Sequence, residues 1–241
     1  MCTVVVLIRP AHAWPVMLAA NRDEMLARQW DPPGAWWPDD PGIVGGRDRE
    51  GSGTWLGVNR HGVVAAVLNR PGSLGPAPGK RSRGELPVLA LAHKTAGAAA
   101  EAISALDAGA WRAFNMVLAD RAGTVFVRGL GQGRPQAHRL PEGVSMVTAH
   151  DPNDLESPRV ARHLPRFRAA PPPDADEWRA WRTLLADQSG GAGEQLNVTP
   201  RAGFGTGSSS LIGLPREGAA VWLFASGPPD KAAYVPVAVP P

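Results

Sequence analysis

The sequence predicts an α+β fold, a four-layer αββα sandwich of two antiparallel sheets with helices outside, and three observations point to it. Strand-like and helix-like segments come in blocks (strands, helices, strands, helices, strands), whereas a doubly wound parallel sheet needs strand and helix to alternate throughout. The 25 prolines and 28 glycines are scattered along the 241 residues. They therefore mark frequent turns between short elements of a single domain, 1–241, rather than a linker. A hydrophobic content of 44% supplies a substantial core.

The elements follow in order. Thr3-Val-Val-Val-Leu-Ile8 is a continuous β-branched run, as in a strand buried on both faces, and residues 9–15 carry loop breakers before a return strand over 16–20. Antiparallel pairing about His12 sets residue 2 opposite residue 22, roughly 5 Å apart. Residues 53–59 and 63–69 form a second hairpin with Gly62 at its turn, and Asn69 ends the strand. From Gly84 to Leu106 the composition and spacing are helical, enough for two helices over one sheet face. Residues 113–120 and 124–128 make a third strand pair around Gly123, and 144–148 add a strand. Residues 155–168 and 175–186 read as helices. In the second, Trp178, Trp181, Leu184 and Leu185 share one face. Strands over 208–214 and 219–225 close the pattern, leaving an irregular Pro-rich tail, 228–241.

Composition excludes several functions. Net charge is only +3, and the densest basic cluster, Lys80, Arg81 and Arg83, reads as a solvated loop, so no nucleic-acid partner is expected. Cys2 is the only cysteine, which rules out an internal disulfide and a Cys-pair metal site. Arg9, Pro10 and His12 interrupt the apolar segment 3–20, so neither a secretory signal nor stable membrane insertion is expected, and the expected location is cytoplasmic. Gly42-Ile-Val-Gly-Gly46 and Gly129-Leu-Gly-Gln-Gly133 lack the context of a phosphate-binding loop and read as turns. Trp30, Trp36 and Trp37 sit in a Pro-rich segment read as a loop anchored to the core, the alternative being a hydrophobic pocket for an acyl chain or a porphyrin, and Trp55 reads as core within a strand.

Chemistry concentrates at the start of the chain. Removal of Met1, favoured by a small second residue, leaves Cys2 with both a thiol nucleophile and an α-amine whose pKa of about 8 suits a general base. The hairpin brings Arg22, which can lower the thiol pKa, and Asp23, which can orient the amine, beside Cys2. Taken singly, an Arg-Asp pair is ordinarily structural and a cysteine starting a strand is ordinarily a small apolar residue. Asn69, at a strand end, is the first candidate for an oxyanion donor. Asn115 and Asn153 are weaker, since asparagine more often caps a turn.

Cys2, the tetrapeptide Asn21-Arg-Asp-Glu24, Gly53-Thr-Trp-Leu-Gly-Val-Asn59, Ala65-Ala-Val-Leu-Asn69-Arg70 and Phe114-Asn115 occur in the order seen in the Asn-Arg-Asp-Glu (NRDE) family, also called the transport-and-Golgi-organisation family, which the chain resembles. That family is similar to cysteine N-terminal-nucleophile hydrolases such as bile-salt and penicillin acylases. The resemblance implies their αββα fold and assigns Cys2, Arg22, Asp23 and Asn69 as the matching site, with Asn21 and Glu24 completing the motif. It departs from the pattern twice. Asp23 follows Arg22 without the short gap found in the acylases, and Gly207 stands where family members often carry an arginine. The implied activity is hydrolysis of a non-peptide amide through a Cys2 thioester, with a small-molecule amide as substrate and no cofactor. The alternative implied by the same family is haem or hydrophobic-ligand binding and trafficking, for which the chain carries no haem motif.

Overall fold

The computed structural model of the protein describes residues 2–175 and 177–240. The chain opens with the predicted hairpin, β1 (Thr3–Ile8) and β2 (Val16–Met25), in register from Thr3 opposite Asn21 to Ile8 opposite Val16. β1 is buried along its whole length, as its unbroken apolar run requires. β2 continues five residues beyond the expected end because a later strand, β11 (Phe204–Leu214), pairs along it from Val16 to Met25. The Asn-Arg-Asp-Glu motif is therefore inside the strand rather than beyond its end. β11 carries a bulge between Thr206 and Ser208, which leaves Gly207 as an extra residue in the ladder.

With β10 (Gly143–Val147), β12 (Val221–Ala225) and β13 (Tyr234–Pro236), these strands form an antiparallel sheet in the order β10-β1-β2-β11-β12-β13. β13 corrects the expectation of an irregular tail. Its three residues pair with Leu223 to Ala225, and a proline is tolerated there because an edge strand need not donate on its outer side. Two helices, α3 (Pro158–Ala169) and α4 (Arg179–Leu185), cover one face. Alternate strand residues Val5, Leu7, Met17, Ala19 and Met146 pack there with Val160, Leu164, Phe167, Trp181 and Leu185. Phe167 and Trp181 meet edge to face at 5.1 Å, an arrangement worth about 0.5–1.5 kcal/mol beyond burial. α4 begins later than predicted. Trp178 is its N-cap, and Asp176, within the predicted helix, lies outside the described residues.

The second sheet is a meander in chain order, β3 (Trp30–Gly34), β4 (Ile43–Asp48), β5 (Leu56–Asn59), β6 (Val64–Asn69), β7 (Phe114–Asp120), β8 (Gly123–Gly129) and β9 (Gln136–Arg139). α1 (Glu85–Leu91) and α2 (Ala96–Ser104) cover one of its faces, burying Leu86, Ala90, Leu91, Ala99 and Ile103 against Ala65, Phe114, Met116 and Leu118. Thr95 caps α2, accepting from the Ala98 amide at 3.1 Å. Gly62 (φ +74°) makes the predicted turn. Three expectations are corrected in this sheet. Residues 43–46 are strand rather than turn, because they pair with β5 from Ile43 opposite Asn59 to Gly45 opposite Gly57, and an added Cβ at Gly46 would be 2.3 Å from the Trp55 ring. Trp55 precedes β5, half-buried against Trp30 at 5.7 Å, and Trp30 itself is in strand β3 rather than a loop.

The two sheets belong to two compact units, Met1–Arg28 with Pro141–Val237 and Gln29–Leu140 with Ala238–Pro241. Each is an antiparallel sheet with a pair of helices on one face, the α+β class the order of elements predicts. Among the described residues no helix is long and apolar enough to cross a membrane.

Candidate active site

Cys2 stands one residue before β1, and extending the β1–β2 register by one step sets it opposite Arg22. Cross-strand partners share a face. Val5, Leu7, Met17 and Ala19 face the helices, so alternation sends Cys2 and Arg22 to the other face and Asn21 and Asp23 to the helix side. The thiol donates to the main-chain carbonyl of Asp23 at 3.8 Å. Burial pushes the Cys2 thiol above its ordinary value. The chain's terminal ammonium draws it down, the Asp23 carboxylate raises it, and the Asp23 carbonyl and Arg22 lower it, so burial decides the outcome. Arg22 thus acts in the expected direction without prevailing.

Asp23 is buried, and both carboxylate oxygens are held. Oδ2 accepts from Arg159 Nη1 at 2.8 Å, and Oδ1 accepts from Thr206 Oγ1 at 2.7 Å. Arg159 is in the first turn of α3, behind the N-cap Ser157 and Pro158, with side-chain exposure of 2%. The same Nη1 also donates to Thr3 Oγ1 at 2.9 Å. Sequence reading missed Arg159, although a signal was present: it shares the buried stripe of α3 with Val160, His163, Leu164 and Phe167, a face where an unpaired charge is not tolerated.

The other motif residues bond to their own strand and its neighbours. Asn21 Nδ2 donates to the carbonyls of Leu185 and Leu196 at 3.0 and 2.9 Å, and its Oδ1 accepts from Ser209 at 2.7 Å, tying the strand to the end of α4 and the segment after it. Glu24 Oε1 accepts from the adjacent Met25 amide. Asn153 adopts φ +60°, accepts from the Met146 amide at 2.9 Å and donates to Ser145 Oγ at 3.2 Å. It is the turn asparagine of the competing expectation.

Asn69 and Asn115 belong to the second unit and are neighbours there, in the facing pairs Asn69–Phe114 and Leu68–Asn115. Alternation places Asn69 on the helix-bearing face with Phe114 and Asn115 on the opposite one. Asn115 is fully buried and accepts from Arg70 Nη1 at 2.6 Å. No group of three or more His, Cys, Asp and Glu among the described residues could hold a metal ion. His163 is buried, its Nε2 meeting the Glu194 carbonyl and its Nδ1 meeting Arg166.

Residues 1–170 match the family described as Transport and Golgi organisation 2. The chain belongs to that family. No curated protein matches it. Solved structures share its fold at low identity. The Caenorhabditis elegans ortholog of N-acylethanolamine-hydrolyzing acid amidase aligns with a TM-score of 0.62 at 12% identity, covering 88% of this chain and 92% of that one. A cysteine-to-alanine mutant of conjugated bile acid hydrolase from Clostridium perfringens gives 0.56 at 11% identity, over 98% and 92%. Penicillin V acylase from Agrobacterium tumefaciens gives 0.50 at 17%, over 93% and 83%. This Transport and Golgi organisation 2 protein thus has the N-terminal-nucleophile hydrolase fold.

Proposed function

We propose that the protein is an N-terminal-nucleophile amidohydrolase that cleaves a non-peptide carbon–nitrogen amide bond through Cys2. The observation that carries this reading is the placement of the sole cysteine, its Sγ 3.8 Å from the Asp23 carbonyl and its position opposite Arg22 in the strand register. Because burial raises the thiol, an internal base is needed, and the α-amine of a processed Cys2 supplies one. The amine takes the thiol proton as sulfur bonds to the amide carbonyl carbon. Collapse of the tetrahedral adduct breaks the carbon–nitrogen bond, and the ammonium returns its proton to the leaving amine. Water, deprotonated by the same amine, then splits the thioester, releasing the acid and restoring the thiol. No cofactor enters these steps. The fold's relatives are by name an amidase, a hydrolase and an acylase, which makes acyl amides the class to screen.

Met1 lies outside the described residues, so its removal is tested directly by the intact mass of the purified protein. Mass loss matching Met1, with amide hydrolysis reduced at least about a thousandfold in Cys2→Ala, is expected. Retention of Met1, or activity that survives Cys2→Ala, refutes the mechanism and makes haem titration the next measurement. An oxyanion donor is worth about a hundred- to a thousandfold in kcat. Asn69→Ala and Asn115→Ala, each compared with a folded wild type, decide whether either amide has that role.

A further inference from the structure

We infer that Arg159 is a positioning residue for Cys2, acting through Asp23 and Thr3. This rests on the reading of Cys2 as the nucleophile. A single nitrogen, Nη1, spans the two strands that carry the site, bonding Thr3 Oγ1 next to the nucleophile and Asp23 Oδ2 in the motif strand. Thr206 completes the clamp from β11. Its Oγ1 accepts from the Val198 amide at 2.7 Å, which turns its own proton toward Asp23 Oδ1. The carboxylate is thereby fixed by donors from a helix and a third strand, while the main-chain carbonyl of the same residue holds the Cys2 thiol.

Stability does not explain the arrangement. Both side chains are shielded, at 2% and 0% exposure, and an ion pair taken out of water carries a desolvation penalty that a well-packed apolar pair of the same volume does not. A charge fixed one residue away from the nucleophile's cross-strand partner does, however, act on Cys2. The Asp23 carboxylate disfavours the thiolate and attracts a cation, the form the α-amine takes once it has accepted the thiol proton. Arg159 neutralises and orients that carboxylate. Without it, the carboxylate beside the residue that must ionise loses the cation that α3 supplies.

Cys2 is the only cysteine, so alkylation by iodoacetamide reads its ionisation with no substrate known. Alkylation rate against pH is measured on wild type, Arg159→Met, Arg159→Lys, Thr206→Val and Thr206→Ser, with circular dichroism confirming the fold. The expected result is a midpoint raised by on the order of one pH unit in Arg159→Met, less in Thr206→Val, and near wild type in Arg159→Lys and Thr206→Ser. A folded Arg159→Met with the wild-type midpoint overturns the inference. If that variant does not fold, a wild-type midpoint in Thr206→Val does so. Because the readout needs no hydrolysis, failure of the amidohydrolase reading shows up separately, as wild type that alkylates normally yet cleaves no acyl amide.

Discussion

The two sheets each carry a buried aspartate held by arginine, and the two pairs are built in opposite ways. Asp23 meets Arg159 with both side chains shielded, whereas Asp31 in β3 is shielded while its partners Arg47 and Arg49 remain 38% and 55% exposed. In the second case the cations stay partly hydrated, and the pair closes the β3–β4 edge, with Arg47 also stacked over Trp36 at 4.6 Å. That is the construction of a structural contact. In the first case both ions lose their water, a cost that packing alone does not reward. The difference separates an ion pair that trims a sheet edge from one that tunes its neighbour.

The sharpest test of this contrast is stability. Arg159→Met removes the buried cation from Asp23 and should cost about 3–5 kcal/mol in urea denaturation, whereas Arg159→Met combined with Asp23→Asn recovers much of it. Arg47→Met should cost a small fraction of that loss. Equal losses at the two sites would erase the distinction.

The next effect is on acid stability. Hydrogen bonds from Arg49, then Arg47, hold the Asp31 carboxyl below its ordinary value. A depressed carboxyl contributes stability above its unfolded value of about 3.9, and that contribution is lost as pH falls through the lower folded value. Asp31→Asn should therefore flatten the stability profile below about pH 4 and leave its shape near neutrality unchanged.

A smaller effect belongs to His163 on α3. Burial, with Arg166 and Arg162 nearby, lowers its pKa against the opposing pull of the Glu194 carbonyl and Asp187. The unfolded chain then binds the extra proton first, so stability falls as pH drops below about 6.5. His163→Gln should remove that slope, and a slope persisting in the variant would assign it elsewhere. Smallest of all is Gly207→Ala. The nearest atom to an added Cβ is Leu26 Cδ2 at 4.0 Å, so the melting curve should shift by no more than about 0.5 kcal/mol. At Gly53 the same change puts a Cβ 2.1 Å from the Gly84 carbonyl carbon, and the backbone must move.

The legible parts of the fold were those with a local signature. The first hairpin could be registered from its two apolar runs alone, and Gly62 announced its turn. β3 escaped because Pro32 and Pro33 read as breakers. They are accommodated at an edge, where the β3–β4 register slips between Asp31 and Gly34. β9 escaped because its four residues are all exposed and carry no alternation. At the site, Cys2, Arg22 and Asp23 were visible because one hairpin brings them together. Arg159 and Thr206 were not, being 136 and 183 residues from Asp23 and placed by tertiary packing. Direction also escaped the sequence: the Asp23 carboxylate is held by Arg159 of α3, and its main-chain carbonyl accepts from the Cys2 thiol.

The bulge in β11 bears on how the chain tolerates changes in its own length. Ser208 faces Arg22 and Thr206 faces Asp23, with Gly207 the supernumerary residue between them. Deleting Gly207 restores an unbroken ladder in which Thr206 still falls opposite Asp23. One codon can therefore be lost at this point while the hydroxyl that holds the aspartate keeps its register position, so a change in length is absorbed beside the site without rewiring it.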